Sequence, residues 1–441
     1  MSKERKIYKP KPVAGFPEWL PEERLVEQRW YDHIRHVFES YGFCNIETPS
    51  VEELDVLTAK GEVDKEIYVI ERLHKDENDT KEARLALHFD QTVPMARYVA
   101  QRFNDLVFPF KRYQMQRVWR GERPQMGRMR EFYQCDIDII NVDNLPLSFD
   151  AECAAVMYEV LDGLNIGRVQ LRINNRKILM GLLESWGLED FVPVTRAVDK
   201  FEKIGKEEVV KLLANDAKLS SEQIDQVLNL VSLKGKADVI LAIVPANDTM
   251  KQGIEELAFV LDHLNHLPDH AVVGDLTIVR GLDYYTGTVY ETQLLDVPEF
   301  TGSVCSGGRY DDLAGSYINK HLPGVGISIG FSRLFDVIKQ KRPDLLGLTE
   351  KSPKGPAHVM MTVPENETDR PAAYEAARSL RKNGVKVEMY HAPKKMGDQL
   401  KYASKKNLPY VWFVRDGKHE VKNMIDQSQA EVDPTTWTPN K

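Results

Sequence analysis

Val26, Trp30, Ile34, Val37, Phe38 and Tyr41 recur at helical spacing, and Gly42 is a natural stop. The pattern predicts a long amphipathic helix. A short strand over 43–47 runs into Pro49, which fits a turn or an edge position because it has no N–H to pair. Residues 84–89 alternate as a strand. The next segment, DQTVPMARYVAQRF over 90–103, predicts a helix with Thr92 as cap and Pro94 in its first turn. On pattern alone, Asp90 and Thr92 are simple capping residues. Tyr113, Met115, Val118 and Trp119 alternate irregularly with basic residues and predict another strand. A loop with Pro124, Gly127 and Arg128 follows, then a strand from near Glu131 with Phe132, Ile137 and Ile139 apolar. Together these make a long hairpin. A helix over 149–161 and a strand over 169–173 come next.

The texture then changes. From about 176 to 267 helical patterns dominate, and Leu257, Val260, Leu261 and Leu264 mark the last of them at i, i+3, i+4, i+7 spacing. Strands return at Ala271. Residues 276–280 lead into GLDYYTG, 288–293 alternate, and TGSVCSGGRYDDL follows. Gly302, Gly307 and Gly308 permit close backbone approach or a tight turn. GVGISIGFSRLFDVI over 324–338 reads as a small-residue strand feeding an amphipathic helix, with Gly326 and Gly330 packed tightly or lining a pocket. After a polar linker over 349–355 the pattern is βαβαβ, a separate small α/β domain.

Composition adds bounds. With 441 residues, 42% hydrophobic and 29% charged, the chain fits two or three ordinary globular domains. No stretch approaches eighteen apolar residues, so no membrane span is expected. The start, MSKERKIYKPKP, has no apolar secretory core, which leaves a cytoplasmic location as the expectation. Cys44, Cys135, Cys153 and Cys305 form no close pair, which argues against a zinc cluster or a disulfide scaffold. Residues 354–441 carry 15 basic and 11 acidic side chains in a chain at −8 overall, a modest pointer to a polyanionic partner.

Charge also singles out the hairpin. Residues 111–130 hold seven basic side chains and one acid, Glu122. Planar guanidiniums gathered near a hairpin stem suit bidentate recognition of phosphate or carboxylate; the alternative is a solvated charged hairpin.

These segments, taken in order, resemble the histidyl-tRNA synthetases, a family of class II aminoacyl-tRNA synthetases, over nearly the whole chain. RGLDYYTG over 280–287 and SGGRYDDL over 306–313 look like the two signatures that set the family apart. The first helix with Pro49, the arginine hairpin, and GVGISIGFSRLF look like the three general class II motifs. The resemblance implies an α+β fold: an antiparallel six-stranded sheet flanked by helices, without a Rossmann core. It divides the chain into a catalytic core over 1–175 and 268–345, a helical insertion over 176–267, and an anticodon-binding α/β domain over 356–441.

The resemblance also implies roles. Arg120 holds the ATP α-phosphate and the amino-acid carboxylate. Glu122 orients the adenine end, Arg128 reaches the outer phosphates, Phe132 stacks on adenine, and Arg333 lies across the nucleotide. Asp90 and Thr92 hold the substrate α-amino group, with Gln134 near the amino group and carboxylate. Asp138 meets the imidazole, Tyr285 is on the other side of the ring, and Tyr284 completes the histidine-binding set. Arg280 faces the α-phosphate opposite Arg120, where other class II enzymes use a metal ion. Asp283 fixes a side chain or the substrate amine. Neutral imidazole donates from one nitrogen and accepts at the other. A site that pairs with both can discriminate by ~10⁴ without editing, so no editing domain is expected. Asp90 and Asp138 stand where many relatives have Glu, and Gln91 stands where a small residue or Leu is usual.

The implied reaction is ATP-dependent activation of L-histidine to histidyl-adenylate, then transfer to the 3′ end of tRNA(His). Magnesium is expected to bridge the ATP phosphates with few protein ligands, its residues unassigned. The first motif implies a homodimer. A non-catalytic relative, the regulatory subunit of ATP phosphoribosyltransferase, shares the core but lacks the tail domain and several signature residues.

Overall fold

The computed structural model describes residues 8–58, 67–74, 84–279, 285–312, 314–315 and 317–439. Contacts divide the chain into two compact units, one of residues up to Glu18 with Tyr31–Arg342, the other of Trp19–Trp30 with Pro343–Lys441. Strands of the first unit are, in chain order, β1 (Cys44–Asn45), β2 (Val51–Glu53), β3 (Val69–Ile70), β4 (Leu85–Leu87), β5 (Phe110–Trp119), β6 (Glu131–Ile140), β7 (Val169–Asn175), β8 (Lys234–Gly235), β9 (Val272–Asp275), β10 (Tyr285–Leu294), β11 (Cys305–Tyr310) and β12 (Gly324–Ile329).

Nine of them form one sheet in the order β1-β5-β6-β12-β11-β10-β7-β9-β8. The six from β5 to β7 are antiparallel throughout, as the resemblance implies. The sheet is nonetheless mixed, because β1 pairs parallel with β5 and β9 parallel with β7. A second sheet, β2-β4-β3, has three short strands. The predicted 43–47 strand shrinks to two residues at the sheet edge, although Ile46 N still donates to Tyr113 O at 3.0 Å.

The first helix is Pro21–Ser40, and it ends where Gly42 adopts a positive φ of 78° that a side chain would disfavour. Its Phe38 packs on Tyr113 of β5 with ring centroids 5.7 Å apart. The Ser148–Gly163 helix lies on the same side, anchored by Arg309, whose Nη2 is 2.5 Å from the fully buried Asp150. Arg309 of the SGGRY segment therefore works on the back of the sheet. Helices Arg176–Glu184, Val192–Asp199, Phe201–Asn215, Ser221–Val231, Ala237–Leu241 and Asp248–His263 occupy the helical stretch, interrupted only by β8 among the strands described there.

In the second unit β13 (Val359–Met361), β14 (Val387–Met389), β15 (Tyr410–Arg415), β16 (Lys418–Asn423) and β17 (Gln429–Glu431) form a sheet ordered β14-β13-β15-β16-β17. The first three strands are parallel and alternate with helices Arg370–Lys382 and Met396–Lys405, the predicted βαβαβ. The last two extend it as an antiparallel meander that the hydrophobic pattern did not reveal. Trp412 and Leu380 are wholly buried between sheet and helix. No helix among the described residues is long and apolar enough to cross a membrane.

Candidate active site

Strand alternation separates the two faces of the central sheet. Residues 113, 115, 135, 137 and 139 are apolar and buried toward the helices. Their neighbours make the opposite face polar. Arg112 stands opposite Asp138 and Gln114 opposite Asp136, while Gln116 faces Gln134. On the next strand Gly326 is opposite Asp138 and Ser328 opposite Asp136, and beyond them lie Gly308 and Ser306. A side chain at 326 would place its Cβ 2.0 Å from Asp138 Oδ1, so glycine is required for that carboxylate to lie flat over the strand.

A cavity of about 210 Å³ opens over this floor. Arg120, Glu122, Arg128, Phe132, Gln134 and Arg333 line it together with Ser306, Ser328 and Gly330. The solvated-hairpin alternative is set aside for Arg120, whose guanidinium is held by a backbone carbonyl, and Arg333 at the head of its helix is held in the same way. Arg120 Nε donates to Phe89 O at 3.0 Å, and its guanidinium sits 5.2 Å from the Phe132 ring centroid. Arg333 Nε donates to Gly127 O at 2.7 Å and Nη1 to Ser303 O at 2.9 Å. Arg128 is exposed, 3.5 Å from Glu122. A positively lined, partly water-shielded cavity with an aromatic wall is equipped for a nucleotide and its phosphates.

Asp90, Thr92, Asp138 and Tyr285 of the histidine set are not among the residues that line this cavity. Thr92 begins the Thr92–Gln101 helix but does not cap it: Gln91 is the cap position, with no side-chain bond to the helix N-terminus, and Asp90 Oδ1 instead accepts from Val93 N at 3.2 Å. The short chain of Asp90 reaches the backbone three residues on, a role Thr92 cannot take once its own residue is helical. Asp138 is 4% exposed and both its oxygens are engaged, Oδ2 by Arg112 and Oδ1 by the Tyr310 hydroxyl at 3.0 Å. Tyr285 pairs in register with Tyr310 and touches the strand at Gly308, where a Cβ would meet its ring at 2.8 Å. Arg280, Asp283 and Tyr284 lie outside the described residues.

Electrostatics here are those of crowded, dry carboxylates. Burial pushes Asp136 up to about 7 and Asp90 up to about 6, with Arg112 pulling both down and their carboxylate neighbours opposing it. Burial raises Asp138 as well, against Arg112 and Tyr310. Cys135 and Cys305 are buried thiols, and burial drives Cys305 to about 12, so its nucleophilic form is suppressed.

Sequence reasoning missed Arg112, Asp136, Ser328 and Tyr310. The signal was available: polar residues at 112, 114, 116 and at 134, 136, 138 keep the period of two that a polar strand face demands. Gln91 was noticed only as a departure. It is fully buried, and its amide donates to Gln116 O and Gln134 O, both at 3.0 Å, tying the start of the helix to both hairpin strands.

An antiparallel six-stranded floor carrying an arginine hairpin and a second arginine at the head of a helix is the catalytic core of a class II aminoacyl-tRNA synthetase. The profile of the family described as histidyl-tRNA synthetase matches residues 15–334, and that of the anticodon binding domain matches 358–433. Histidine–tRNA ligase of Thermobifida fusca is 52% identical over 98% of this chain and 99% of its own length. That of Micrococcus luteus is 44% identical, with 97% and 96% covered. The crystal structure of histidyl-tRNA synthetase from Nostoc sp. PCC 7120 superposes with a TM-score of 0.86 at 36% identity over 97% of both chains. The chain belongs to the histidyl-tRNA synthetase family.

Proposed function

We propose that the pocket joins L-histidine to ATP and that the chain then passes the histidyl group to tRNA(His). The histidine carboxylate attacks the α-phosphorus, giving histidyl-adenylate and pyrophosphate. The 3′-terminal hydroxyl of the tRNA then attacks the activated carbonyl. One observation carries the reading: Arg120 at the end of β5, Phe132 and Gln134 on β6, and Arg333 on the helix Phe331–Lys341 converge on one cavity. Arg120 holds the α-phosphate and substrate carboxylate, and its Phe89 tether keeps it in place before ATP arrives. Phe132 offers a face to adenine, Glu122 the adenine end a hydrogen-bond acceptor, Arg128 charge to the outer phosphates, and Arg333 charge from across the nucleotide. Arg280 supplies charge to the α-phosphate from the opposite side. Fixed charge aimed at the developing phosphorane lowers the barrier because it needs no reorganisation.

For histidine, Asp90, Thr92 and Gln134 take the α-amino end, and Asp138, Tyr284 and Tyr285 the imidazole. Among the described residues the cavity wall contains a single carboxylate, Glu122, and no group of three or more His, Cys, Asp or Glu could hold a metal ion. That donor set fits magnesium carried in by ATP on its own phosphate oxygens, which would neutralise phosphate charge when bound. The division into a core over 1–175 and 268–345, an insertion over 176–267 and an anticodon-binding part over 356–441, together with homodimer assembly and cytoplasmic residence, completes the reading.

Histidine-dependent ATP–pyrophosphate exchange tests it. Arg120→Ala should lower kcat/KM on the order of 10²-fold or more, the scale of a lost transition-state charge contact. Exchange at the wild-type rate in that variant, or exchange that needs no histidine, would overturn the proposal.

A further inference from the structure

Asp136 is not among the residues that line the cavity, but it is hydrogen-bonded to one that is, Ser328. Gln134 and Asp136 are two apart on β6 and so share its polar face, with Ser328 opposite Asp136 on β12. The Ser328 hydroxyl donates to Asp136 Oδ1, and Gln134 Nε2 donates to Ser328 Oγ at 2.6 Å. Ser328 and Gln134 line the cavity, whereas Asp136 is 4% exposed behind them.

The order of donors in this chain is dictated by the carboxylate. An ionised Asp only accepts, and a serine hydroxyl has a single proton. Once that proton goes to Asp136, Ser328 can only accept from Gln134, and the amide must turn its NH₂ inward. Gln134 Oε1 is then left as an acceptor with no hydrogen-bond partner among the described residues, shielded from solvent. Unpaired buried acceptors are costly, and a ligand donor would satisfy this one. Reversing the amide would set its NH₂ against an ammonium group, donor facing donor.

We propose that Asp136, acting through Ser328, is a positioning residue that fixes which end of the Gln134 amide meets the α-ammonium group of histidine. The inference rests on the reading of Gln134 as part of the histidine site. Three charged groups face Asp136: Arg112 from β5, Asp138 on its own strand, and Asp90 from the turn before the Thr92–Gln101 helix. A bound ammonium adds positive charge to a cluster of three buried carboxylates, and so favours the ionised Asp136 that orders the relay.

The test uses the full chain and histidine-dependent pyrophosphate exchange. In Asp136→Asn the KM for histidine should rise about tenfold, the scale of a hydrogen bond to a charged group. The KM for ATP and the thermal midpoint should not worsen. Two competitive inhibitors separate the ends of the substrate: histamine has the ammonium without the carboxylate, and imidazolepropionate the carboxylate without the ammonium. Histamine should weaken in step with histidine while imidazolepropionate holds its wild-type Ki. Ser328→Ala should give the same pattern, and it carries the test if Asp136→Asn does not fold. Equal weakening of both inhibitors would overturn the relay, because Asp136 would then merely shape the pocket. So would unchanged histidine KM in Asp136→Asn and Ser328→Ala when Gln134→Ala raises it. If Gln134→Ala leaves the histidine KM unmoved, the reading of Gln134 itself fails, and the relay with it.

Discussion

Asp138 serves a charge as well as a proposed substrate. Its partner Arg112 is wholly buried, and no other carboxylate contacts that guanidinium within ion-pair distance among the described residues. Asp138→Asn should therefore raise the KM for histidine far more than that for ATP, since an amide can offer the imidazole the wrong group. It should also cost about 3 kcal/mol or more of stability, because a buried guanidinium is left uncompensated. Exchange kinetics and denaturant unfolding report the two effects separately; a rise confined to the ATP KM would refute the imidazole role. Asp136 yields a pH prediction. Its folded pKa of about 7 lies above that of an unfolded carboxylate, so between about pH 4 and 7 the folded chain keeps a proton the unfolded chain has released. That contribution is complete below about pH 4 and is lost as pH rises through 7. Asp136→Asn, which has no proton to lose, should gain stability relative to wild type as pH is raised from 4 to 8. A constant difference across that range in unfolding experiments would contradict the assignment. Among single residues, Arg120, Phe132 and Arg333 were legible because motif spacing brought them out. Arg112 and Tyr310 were not, because pairing across strands, rather than spacing along one, creates their contacts.

At the scale of elements, the loop of the arginine hairpin is held by the helix Phe331–Lys341. Gly127, at φ 68°, donates its N–H to Asp336 Oδ2 at 3.1 Å while its carbonyl accepts from Arg333. Both backbone groups at the turn are thus tied to one helix, and Arg128 follows directly. Asp336→Ala should free the loop and raise the KM for ATP several-fold, in keeping with the loss of one hydrogen bond to a charged group, while the histidine KM stays near wild type. Parallel increases in both would place the effect in general folding. Elements were read from sequence with uneven success. The hairpin, first helix and βαβαβ tail follow from periodicity. The β15–β16 hairpin escaped although Asp416-Gly417 sits at its turn with φ 47° and 72°, the residue pair that favours such a turn. Thr92 was misplaced as a cap because capping depends on the backbone angles of the preceding residues, which composition does not report.

At the scale of the whole molecule, the motifs end before Arg342, and the second compact unit contains none of them beyond the start of the first helix, up to Trp30. Removing residues after about 355 should leave adenylate formation partly intact and cripple charging of tRNA. Because Trp19–Trp30 clusters with the removed part, size exclusion should accompany the activity measurement. A folded truncation that charges tRNA with full-length efficiency would exclude an anticodon-binding role for this region. In the full chain, tRNA affinity should fall as salt rises, since phosphate contacts release counterions.

The sequence by itself determined the ordered motifs, the alternation that makes one face of the central sheet polar, and the separate basic tail. These depend on spacing along the chain, which pattern and motif spacing record directly. Tertiary structure decided what those polar residues do. Only the register of β5, β6 and β12 sets Arg112 on Asp138 and Ser328 between Asp136 and Gln134. β12 comes from a segment nearly two hundred residues beyond the hairpin, and the hydrogen bonds of Ser328 exist only once the strands are side by side.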